Sequence, residues 1–490
     1  MKLQNLIGDK KLSEYNINIL GLSEDSREIK NNYIFFLKNK KKEEDEEKHI
    51  LEAINKGAKI IIYSKNKSLK AKNYSSECIF HNVHDLNKCM YELSKVFYEL
   101  PKKNIKIYGV TGTNGKSSII NLIAQFLEMK NEKCGLIGTM GSGIYPKIKN
   151  KSLTTPNIIN INKNIKKFVN DKVNVMAMEV SSHGIKQNRI SGLSFEAAIF
   201  TNLTHDHLDF HKNMKNYFNV KLKLFTEYKS RKKIICIDSY YGNKIYSLLK
   251  DKSKNKIKTV SIKNKDADYY SSDIIYTKNG ISFLVNSKYG VKKVFCKLYG
   301  EFSVTNILIT LATLVNNKKD YNFFIENIQN IKTLNGRMQK LQKNHNSIVF
   351  IDFAHTPDAV KKVLISIKKH FPDNDITTIF GCGGNRDMSK RKIMGEIVDK
   401  YSNNIIVTND NPRNENQDAI VKHILSGINS NSNFSIILDR KKAIKKSLNK
   451  KYLNNILLIL GKGDESNQVI NNKSIPLNDK DEVLKAFKLL

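Results

Sequence analysis

The sequence predicts an α/β protein whose parallel sheets are covered by helices. From residue 105 onward, short apolar segments typical of buried strands alternate with amphipathic segments typical of helices. One of the predicted strands runs into a glycine-rich loop that opens a helix. In the last third of the chain, four short apolar segments each end in a polar or glycine-rich cluster.

The length and order of these segments predict three domains. A chain of 490 residues is too long for one core of ordinary size. We place an N-terminal domain at residues 1–100, a central domain at 101–333 and a C-terminal domain at 334–490. The central domain begins where the strand and helix alternation begins, and the C-terminal domain contains the four strand-end clusters.

The composition narrows the range of partners. The formal net charge is +36, but the lysines are spread along the chain, without an arginine-rich arm or a basic stretch with interleaved aromatic residues. We therefore predict no nucleic-acid partner. The six cysteines are scattered without a CxxC pair, as is typical of a reducing compartment. No signal-peptide pattern or long apolar run is present, so we expect a cytoplasmic chain without membrane insertion.

A phosphate-binding loop is the most specific motif. Gly-Val-Thr-Gly-Thr-Asn-Gly-Lys-Ser-Ser at 109–118 lies between a predicted strand at 105–110 and a predicted helix at 117–129. Backbone N–H groups at such a loop bind phosphate oxygens. Lys116 would reach the β and γ phosphates of a nucleotide, and the Ser117 hydroxyl would bind Mg²⁺. Val110 occupies the first glycine position of the usual GxxxxGK[ST] pattern, so the prediction rests on 112–118.

Acidic and histidine residues that could bind the cation follow two later strands. Glu179 ends the apolar segment 175–179, at the carboxyl end of a predicted strand. Four of the eleven histidines fall between residues 183 and 211. Spacing alone leaves open which of them binds metal, because His205 and His207 would point to opposite sides of an extended segment.

The four strand-end clusters of the C-terminal domain predict one shared site. They lie at 352–358, 381–387, 409–413 and 461–465. Open α/β sheets bind ligands outside the carboxyl ends of their strands, so these clusters should meet at one edge.

At these motifs the sequence resembles the Mur ligase family, and within it the MurE subfamily. The matching segments occur in the family's order from about residue 20 to about residue 470: GTNGKSS (112–118), EVSSHGIKQNR (179–189), TNLTHDHLDFH (201–211), YFNVKLKLF (217–225), NGRM (335–338), DFAHTPDAV (352–360), GCGGNRD (381–387), DNPR (410–413) and GKGDE (461–465). The resemblance implies an N-terminal domain that binds a UDP-linked substrate, a central P-loop-type parallel-sheet ATPase domain and a C-terminal Rossmann-like domain that binds an amino acid. It also implies an ATP-dependent ligase of peptidoglycan precursor synthesis. Such a ligase converts a carboxylate into an acyl phosphate, which an amine then converts into an amide.

The resemblance also assigns roles to individual residues. The catalytic residues would be Lys116, Lys221 and His207. The residues that bind ATP would be Gly112, Thr113, Asn114, Gly115, Lys116, Ser117, Ser118, Asn306, Arg337, Asp352 and His355. The residues that bind Mg²⁺ would be Ser117, Glu179, His207 and Lys221, with Lys221 carrying a carbamate derived from CO₂. The carbamate has a physical rationale, because an ammonium repels Mg²⁺ whereas a carbamate offers two anionic oxygens.

Two further sets of residues would bind the other substrates. The residues that would bind UDP-N-acetylmuramoyl-L-alanyl-D-glutamate are Ser26, Thr154, Thr155, Ser181, Gln187 and Arg189. The residues that would bind the amino acid are Arg386, Asp410, Asn411, Pro412, Arg413, Gly461 and Glu465. The tetrad 410–413 resembles that of enzymes that use meso-diaminopimelate. Two arginines can bind its distal carboxylate, and two acidic residues can accept from its ammonium groups.

The chain departs from the family pattern at four positions. Asp464 replaces a histidine, Asn385 replaces an aspartate, Leu153 replaces an asparagine before the Thr-Thr pair, and Lys392 replaces a proline. These changes leave L-lysine or another diamino acid open as the substrate.

Three other functions stay open at this point. A ligase similar to folylpolyglutamate synthase would share the phosphate loop and the modified lysine, a nucleic-acid-binding NTPase is suggested only by charge, and a non-catalytic scaffold would leave the loop idle. We expect a monomer that acts on the UDP-linked dipeptide, meso-diaminopimelate and ATP.

Overall fold

The computed structural model describes residues 1–6, 15–38, 43–65, 74, 78–101, 105–149, 153–253, 256–343, 348–448 and 455–489. The chain forms two compact units. The first contains Met1–Ile107, Lys133–Glu196 and Thr226–Lys229, and the second contains Tyr108–Glu132, Ala197–Phe225 and Ser230–Leu490. Both are built from strands and helices with parallel pairing, which confirms the predicted α/β class. The domain boundaries at 100 and 333 stay a prediction.

Helices and strands alternate along most of the chain. Up to residue 200 they are α1 (Leu3–Leu6), β1 (Gly21–Ser23), β2 (Tyr33–Leu37), α2 (Glu43–Asn55), β3 (Ala58–Ser64), β4 (Ile79–Val83), α3 (Leu86–Phe97), β5 (Lys106–Thr111), α4 (Lys116–Met129), β6 (Cys134–Gly138), β7 (Gly141–Ile144), β8 (Lys147–Lys149), α5 (Ile158–Asn170), β9 (Val175–Glu179), α6 (Ser182–Lys186) and β10 (Phe195–Phe200). From there to residue 327 they are α7 (Leu208–His211), α8 (Met214–Thr226), β11 (Ser230–Cys236), α9 (Tyr240–Ser253), β12 (Ile257–Ser261), β13 (Tyr269–Thr277), β14 (Gly280–Ser287), β15 (Gly290–Cys296), α10 (Glu301–Leu314) and α11 (Lys318–Asn327). The remainder are β16 (Gln339–Gln342), β17 (Ile348–Asp352), α12 (Pro357–His370), β18 (Ile376–Phe380), α13 (Ser389–Tyr401), β19 (Asn404–Val407), α14 (Gln417–Leu425), β20 (Phe434–Ile436), α15 (Arg440–Ser447), β21 (Ile456–Leu460), β22 (Asn467–Ile470), β23 (Lys473–Pro476) and α16 (Asp479–Leu489).

The first unit contains a four-stranded parallel sheet with the order β1-β2-β3-β4. Helix α2 packs Ile50 and Ala53 against Phe35 and Ile61 of this sheet. A further group of strands has the order β9-β6-β7-β8, in which β9 and β6 run parallel.

The second unit contains the strand that leads into the phosphate loop. Strand β5 pairs in parallel with β10, and the strand order continues from β10 through β11, β12, β13 and β14 to β15. The last two pairings, β13 with β14 and β14 with β15, are antiparallel. Helix α10 is buried along almost its whole length because it is apolar on every side.

The C-terminal part of the second unit is a doubly covered sheet with the order β16-β17-β21-β18-β19-β20. All neighbours except β16 and β17 are parallel. Successive residues of a strand face opposite sides, so Phe350 packs in the core beneath α12 and α13, whereas Val349 and Ile351 pack in the core beneath α15 and α16. Because β17, β21, β18 and β19 are parallel neighbours, their carboxyl ends lie at one edge of the sheet, as the sequence predicts.

Among the described residues, no helix is long and apolar enough to cross a membrane. All six cysteines are free, so the cores rest on packing without disulfides.

A buried ion pair stabilises the edge where the strands end. Arg440 and Asp479 have fully buried side chains, and the Asp479 oxygens accept from Nε and Nη2 of Arg440, each at 2.7 Å. Nη2 also donates to the Leu460 carbonyl at 2.9 Å, which ties the pair to the end of β21. Nη1 of Arg440 is buried without a hydrogen-bond partner among the described residues, so the guanidinium depends on Asp479 for its neutralisation.

We expect Asp479→Ala to destabilise the protein strongly. It would leave a buried guanidinium without a counter-charge, a change that costs about 3–5 kcal/mol in comparable pairs. Urea unfolding of the full chain, followed by circular dichroism, measures the loss. The control is Asp481→Ala, which removes an exposed carboxylate two residues further along the same helix and should cost less than about 0.5 kcal/mol. Equal unfolding midpoints for the two variants would contradict the assignment.

Candidate active site

The phosphate loop joins β5 to α4 and is held by the segment that follows β10. The N–H of Thr113 donates to the Asn202 carbonyl at 2.9 Å, and the N–H of Asn114 donates to Oδ1 of Asn202 at 3.0 Å. The Thr201 hydroxyl donates to the Asn114 carbonyl at 2.6 Å. A Cβ on Gly112 would lie 1.9 Å from Oγ1 of Thr201, so this position requires glycine. The loop therefore has a fixed shape at a helix N-terminus, which suits anionic oxygens.

Lys116, the predicted phosphate ligand, is the first residue of α4. Its Nζ donates to the carbonyl oxygens of Gly112 at 3.0 Å and Thr113 at 2.8 Å. The ammonium therefore lies over the loop itself, where phosphate oxygens would meet it.

Three further predicted ATP contacts lie around the start of α4. Gly115, the residue before the helix, has φ of 90°. A Cβ placed there would lie 3.0 Å from Oδ1 of Asn306, so the Asn306 amide faces the loop. Nη2 of Arg337 donates to the Ser117 hydroxyl at 3.4 Å. The structure thus brings Asn306 and Arg337 to the phosphate loop although they are distant from it in sequence.

Lys221 is buried beneath the phosphate loop, with only 1 % of its surface exposed. Its Nζ donates to the Gly112 carbonyl at 2.9 Å and to Oγ1 of Thr111 at 3.4 Å, and lies 4.9 Å from the centre of the Tyr217 ring. Burial lowers the pKa of Lys221 well below its usual value, and the charge of Lys116 lowers it further. Burial and the neighbouring charge therefore favour the neutral amine, the form that can react with CO₂.

The two histidines whose roles the sequence leaves open have different surroundings. His207 caps α7 in the left-handed conformation with φ of 53°, and its Nε2 lies 3.4 Å from Oδ2 of Asp206. His205 instead contacts Asp387, with 3.0 Å between Nε2 and Oδ2. The His207 ring is 45 % exposed, and its neighbour Asp206 is close enough to Lys221 to affect the pKa of that lysine, so His207 is the better placed of the two for a cation near Lys221. Burial opposes ionisation of Asp206, but His207, His355 and Lys390 together lower its pKa.

Asp352, at the end of β17, is fixed by backbone donors. The N–H of Met338 donates to its Oδ2 at 2.7 Å, and the N–H of Ala354 donates to its Oδ1 at 2.8 Å. Burial raises the pKa of Asp352, whereas Arg337 and the two N–H groups oppose this shift. A carboxylate in this place can orient a hydroxyl or amine donor of a bound nucleotide.

His355 lies three residues beyond the end of β17. Burial lowers its pKa, and so does the nearby ammonium of Lys390, which donates to the His355 carbonyl at 2.9 Å. The imidazole is therefore held neutral, as a hydrogen-bonding group rather than a charge.

The loop that carries Arg337 packs directly on the GKGDE loop. Gly336 has φ of 65°, and a Cβ there would lie 2.2 Å from the Asp464 nitrogen. A Cβ on Gly463 would lie 2.7 Å from the Gly336 carbonyl oxygen and 2.9 Å from Cβ of Phe353. The Arg337 guanidinium covers the Phe353 ring at 4.2 Å. Backbone contact thus joins the nucleotide-binding residues to the loop predicted to bind the amino acid.

The tetrad 410–413 packs against the loop that follows β18. The N–H of Gly384 donates to the Asn411 carbonyl at 3.0 Å, and Nη1 of Arg413 donates to the Gly384 carbonyl at 2.8 Å. A Cβ on Gly384 would lie 1.9 Å from the Pro412 carbonyl oxygen. The two loops therefore form one continuous surface.

Charged groups of both signs meet on this surface. Burial lowers the pKa of Arg413, and the nearby guanidinium of Arg386 lowers it further, whereas Asp410 and Glu465 raise it. A Cβ on Gly461 would lie 2.5 Å from Oδ2 of Asp410. Two guanidiniums beside two carboxylates offer partners for both the carboxylate and the ammonium of a zwitterionic ligand.

Sequence reasoning missed the residues that support this loop. The guanidinium of Arg391 is fully buried and binds Glu415 through two hydrogen bonds at 2.6 and 2.8 Å. Glu415 in turn accepts from the N–H of Asn385 at 2.7 Å, and Arg391 donates to the Gly383 carbonyl at 3.2 Å. Asn385 has φ of 51°, a conformation that asparagine and aspartate tolerate, so this departure from the family pattern preserves the turn.

Most residues predicted to bind the UDP-linked substrate cluster in the first unit. The Thr155 hydroxyl donates to the Glu179 carbonyl at 2.8 Å and to Oγ of Ser181 at 3.0 Å. Arg189 donates to the Thr155 carbonyl at 2.9 Å and also binds the side chain of Gln187.

Two other members of this predicted set have separate partners. The hydroxyl of Thr154 lies 3.1 Å from that of Thr139, which also contacts Glu179. Ser26 belongs to another cluster of the same unit, in which its hydroxyl lies 2.9 Å from Nδ1 of His49 and donates to Glu52 at 2.6 Å.

Of the predicted Mg²⁺ ligands, Ser117, Glu179 and a carbamate on Lys221 would be oxygen donors, whereas His207 would be a nitrogen donor. Within the parts of the chain that the structure describes, no group of three or more His, Cys, Asp and Glu side chains is placed to hold a metal ion. The Ser117 hydroxyl and a carbamate on Lys221 would both suit a hard cation, whereas an unmodified ammonium would not. The fit to Mg²⁺ therefore depends on modification of Lys221. Glu179, which the sequence predicts as a further ligand, is 1 % exposed and belongs to the first unit.

A phosphate loop with a buried lysine beneath it, next to charged strand ends, defines an ATP-dependent ligase site. Two family models match this arrangement: the Mur ligase middle domain over residues 110–314, and the Mur ligase, glutamate ligase domain over residues 336–463. The chain belongs to the Mur ligase family of ATP-dependent, ADP-forming amide ligases.

Several relatives of the chain carry the name of a diaminopimelate ligase. The chain is 38 % identical over 443 residues to the UDP-N-acetylmuramoyl-L-alanyl-D-glutamate--2,6-diaminopimelate ligase of Wigglesworthia glossinidia brevipalpis, covering 88 % of this chain and 87 % of that one. It is 35 % identical over 496 residues to the first such ligase of Clostridium acetobutylicum, covering 100 % of both. A solved structure of a ligase of this name is similar with a TM-score of 0.70 and 28 % identity, covering 100 % of this chain and 99 % of that one.

Proposed function

We propose that this chain joins meso-diaminopimelate to UDP-N-acetylmuramoyl-L-alanyl-D-glutamate with hydrolysis of ATP to ADP, in peptidoglycan precursor synthesis. The observation that carries the proposal is the closeness of charged groups of both signs at the strand ends. Arg413 has Arg386, Asp410 and Glu465 near enough to affect its pKa. The same chain contains the phosphate loop described above. The relatives of the same name support the choice of substrates.

The reaction proceeds through two displacements. A carboxylate oxygen of the D-glutamate residue attacks the γ-phosphorus of ATP, which forms an acyl phosphate and releases ADP. The neutral amine of diaminopimelate then attacks the acyl carbon, so that an amide forms, phosphate leaves and the amine loses a proton. Lys116 and the loop N–H groups offset the charge that crowds around the transferred phosphoryl group. Bound Mg²⁺ would add to this charge stabilisation.

Lys221 would act as a carbamate. Burial favours the neutral form of its amine, which can add to CO₂ with loss of a proton, and the carbamate that forms has two oxygens that share a negative charge and suit Mg²⁺. The position of its Nζ directly under the phosphate loop supports this role. We propose Ser117, Glu179 and His207 as the remaining ligands.

The arginine pair favours diaminopimelate over L-lysine. Lysine has no distal carboxylate, so binding it would leave the partly buried Arg413 and the exposed Arg386 without the ligand carboxylate that they are placed to bind.

We expect Arg413→Asn to raise the KM for diaminopimelate by about tenfold to a hundredfold, because one partner of a bidentate carboxylate contact is lost. Asparagine is chosen because Arg413 has φ of 53°, which asparagine tolerates. The KM for ATP should change by less than about twofold. Arg231→Asn, at an exposed arginine of β11, is the control. Equal rises in the KM for ATP and for diaminopimelate would show that Arg413 does not recognise the amino acid.

A panel assay tests the proposed function itself. Phosphate release from ATP is measured with the UDP-linked dipeptide and, in turn, meso-diaminopimelate, L-lysine and other diamino acids. We expect release that requires the dipeptide and is fastest with meso-diaminopimelate. Release with a folate plus glutamate, but not with the UDP-linked dipeptide, would establish the folylpolyglutamate alternative. ATPase activity stimulated by a polynucleotide would establish the nucleic-acid alternative.

We further propose that the protein acts as a monomer in the cytoplasm, where UDP-linked precursors and ATP are available. Size-exclusion chromatography with light scattering tests the first point, and fractionation of cells tests the second.

A further inference from the structure

Lys462 is a fully buried lysine within the predicted amino-acid site. It lies between Gly461 and Gly463, whose φ values of 110° and 56° turn the chain sharply on either side of it. Its Nζ donates to three oxygens: Oε2 of Glu465 at 2.8 Å, Oδ1 of Asn411 at 3.1 Å and the carbonyl of Asn467 at 2.8 Å. All three N–H groups of the ammonium are therefore used, and they join the GKGDE loop to the tetrad 410–413.

These contacts determine the orientation of the Asn411 amide. Its Oδ1 accepts from Lys462 and also from the N–H of Val469 at 2.9 Å, so both acceptor positions are filled. Its Nδ2 then points to Glu465 and donates to Oε2 at 2.9 Å. A flipped amide would place an NH₂ group against an ammonium, so only this orientation is compatible with Lys462.

Glu465 is consequently held by one of its two oxygens. Oε2 accepts from both Lys462 and Asn411, whereas Oε1 has no partner among the residues that the structure describes. The side chain is 38 % exposed, in contrast to the fully buried lysine that holds it. A carboxylate fixed in this way presents its second oxygen to a ligand at little further cost in side-chain entropy.

We propose that Lys462 is a positioning residue for the amino-acid substrate, which holds Glu465 so that its second oxygen accepts a hydrogen bond from an ammonium group of the incoming diamino acid. The proposal rests on the proposed function and adds to it the residue that fixes the ammonium-binding carboxylate. Lys462 itself does not touch the substrate.

The test is Lys462→Met, which keeps the length of the side chain and removes its charge. We expect the KM for diaminopimelate to rise by at least about tenfold, while the KM values for ATP and for the UDP-linked dipeptide change by less than about twofold. Lys485→Met is the matched control, because Lys485 pairs with Glu482 at the same spacing of three residues and the same 2.8 Å, but at the surface. The control should leave all three KM values unchanged.

Two further variants make the test independent of a general loss of stability. Lys462→Arg keeps the positive charge and should fold. Its larger, planar guanidinium should displace Glu465, so the KM for diaminopimelate should also rise. Glu465→Gln keeps the contacts to Lys462 and removes the anionic oxygen. The double variant Lys462→Met with Glu465→Gln should have a KM for diaminopimelate close to that of the worse single variant, because both changes act through one carboxylate.

Failure of the inference and failure of the proposed function are distinguishable. If the wild-type protein does not use diaminopimelate, the proposed function is wrong. If the wild type is active but Lys462→Met and Lys462→Arg leave the KM for diaminopimelate unchanged, or raise all three KM values equally, Lys462 has only a structural role. Additive effects in the double variant would also overturn the positioning role.

Discussion

Lys116→Ala should abolish formation of the acyl phosphate and lower turnover by about a thousandfold or more, since it removes the cation nearest the transferred phosphoryl group. The Lys116 ammonium donates to the carbonyls of Gly112 and Thr113, so it lies on the loop that would hold the phosphates. ADP release in the presence of the UDP-linked dipeptide, without the amino acid, measures the first step separately from the second.

The control for this variant is Lys130→Ala at the other end of the same helix. Lys130 forms a 3.0 Å ion pair with Asp320 that is partly exposed, and removal of such a pair costs at most about 1 kcal/mol. Its turnover should match that of the wild type. A Lys116→Ala enzyme that keeps more than about a tenth of the wild-type turnover would disprove the phosphate role.

Lys221→Met is expected to have the second largest effect, with turnover lowered by about a hundredfold or more because no carbamate can form. Lys221→Arg should be equally inactive, because a guanidinium cannot form the carbamate and places a positive charge where Mg²⁺ would bind. The wild-type enzyme should lose activity in CO₂-free buffer and regain it with bicarbonate. Carbon-13 NMR with labelled CO₂ should show a carbamate signal that Lys221→Met lacks.

Lys223→Met serves as the control, because Lys223 lies two residues further along α8 with its side chain exposed. It should keep the carbamate signal and the activity. If Lys221→Arg proved active, or if labelled CO₂ gave no signal in the wild type, the carbamate would be ruled out.

The sequence predicts the local parts of the fold well. Strands of a parallel sheet that is covered on both faces are short continuous apolar runs. The strands β17, β18, β19 and β21 can therefore be recognised in the sequence, and the polar clusters that follow them mark their ends. The helix predicted from residue 117 begins one residue earlier, because Gly115 takes the capping position in the left-handed conformation. Such a boundary depends on backbone geometry that a residue pattern does not specify.

Pairings between distant residues cannot be read from the pattern. Arg440 and Asp479 are 39 residues apart, and His205 and Asp387 are 182 residues apart. Lys462 belongs to the GKGDE motif, yet lysine is so frequent in this chain that the residue type alone does not indicate a buried side chain. The signal that could have found it is its place between two glycines directly after a buried strand.

The contact between Gly336 and Gly463 limits how this sequence can vary. Lysine and asparagine are frequent throughout the sequence, and an exposed position can hold either side chain without a steric conflict. At these two positions even one methyl group would collide with the opposite backbone. Substitution of either residue should therefore be selected against, because the two loops can approach this closely only when both positions lack a side chain.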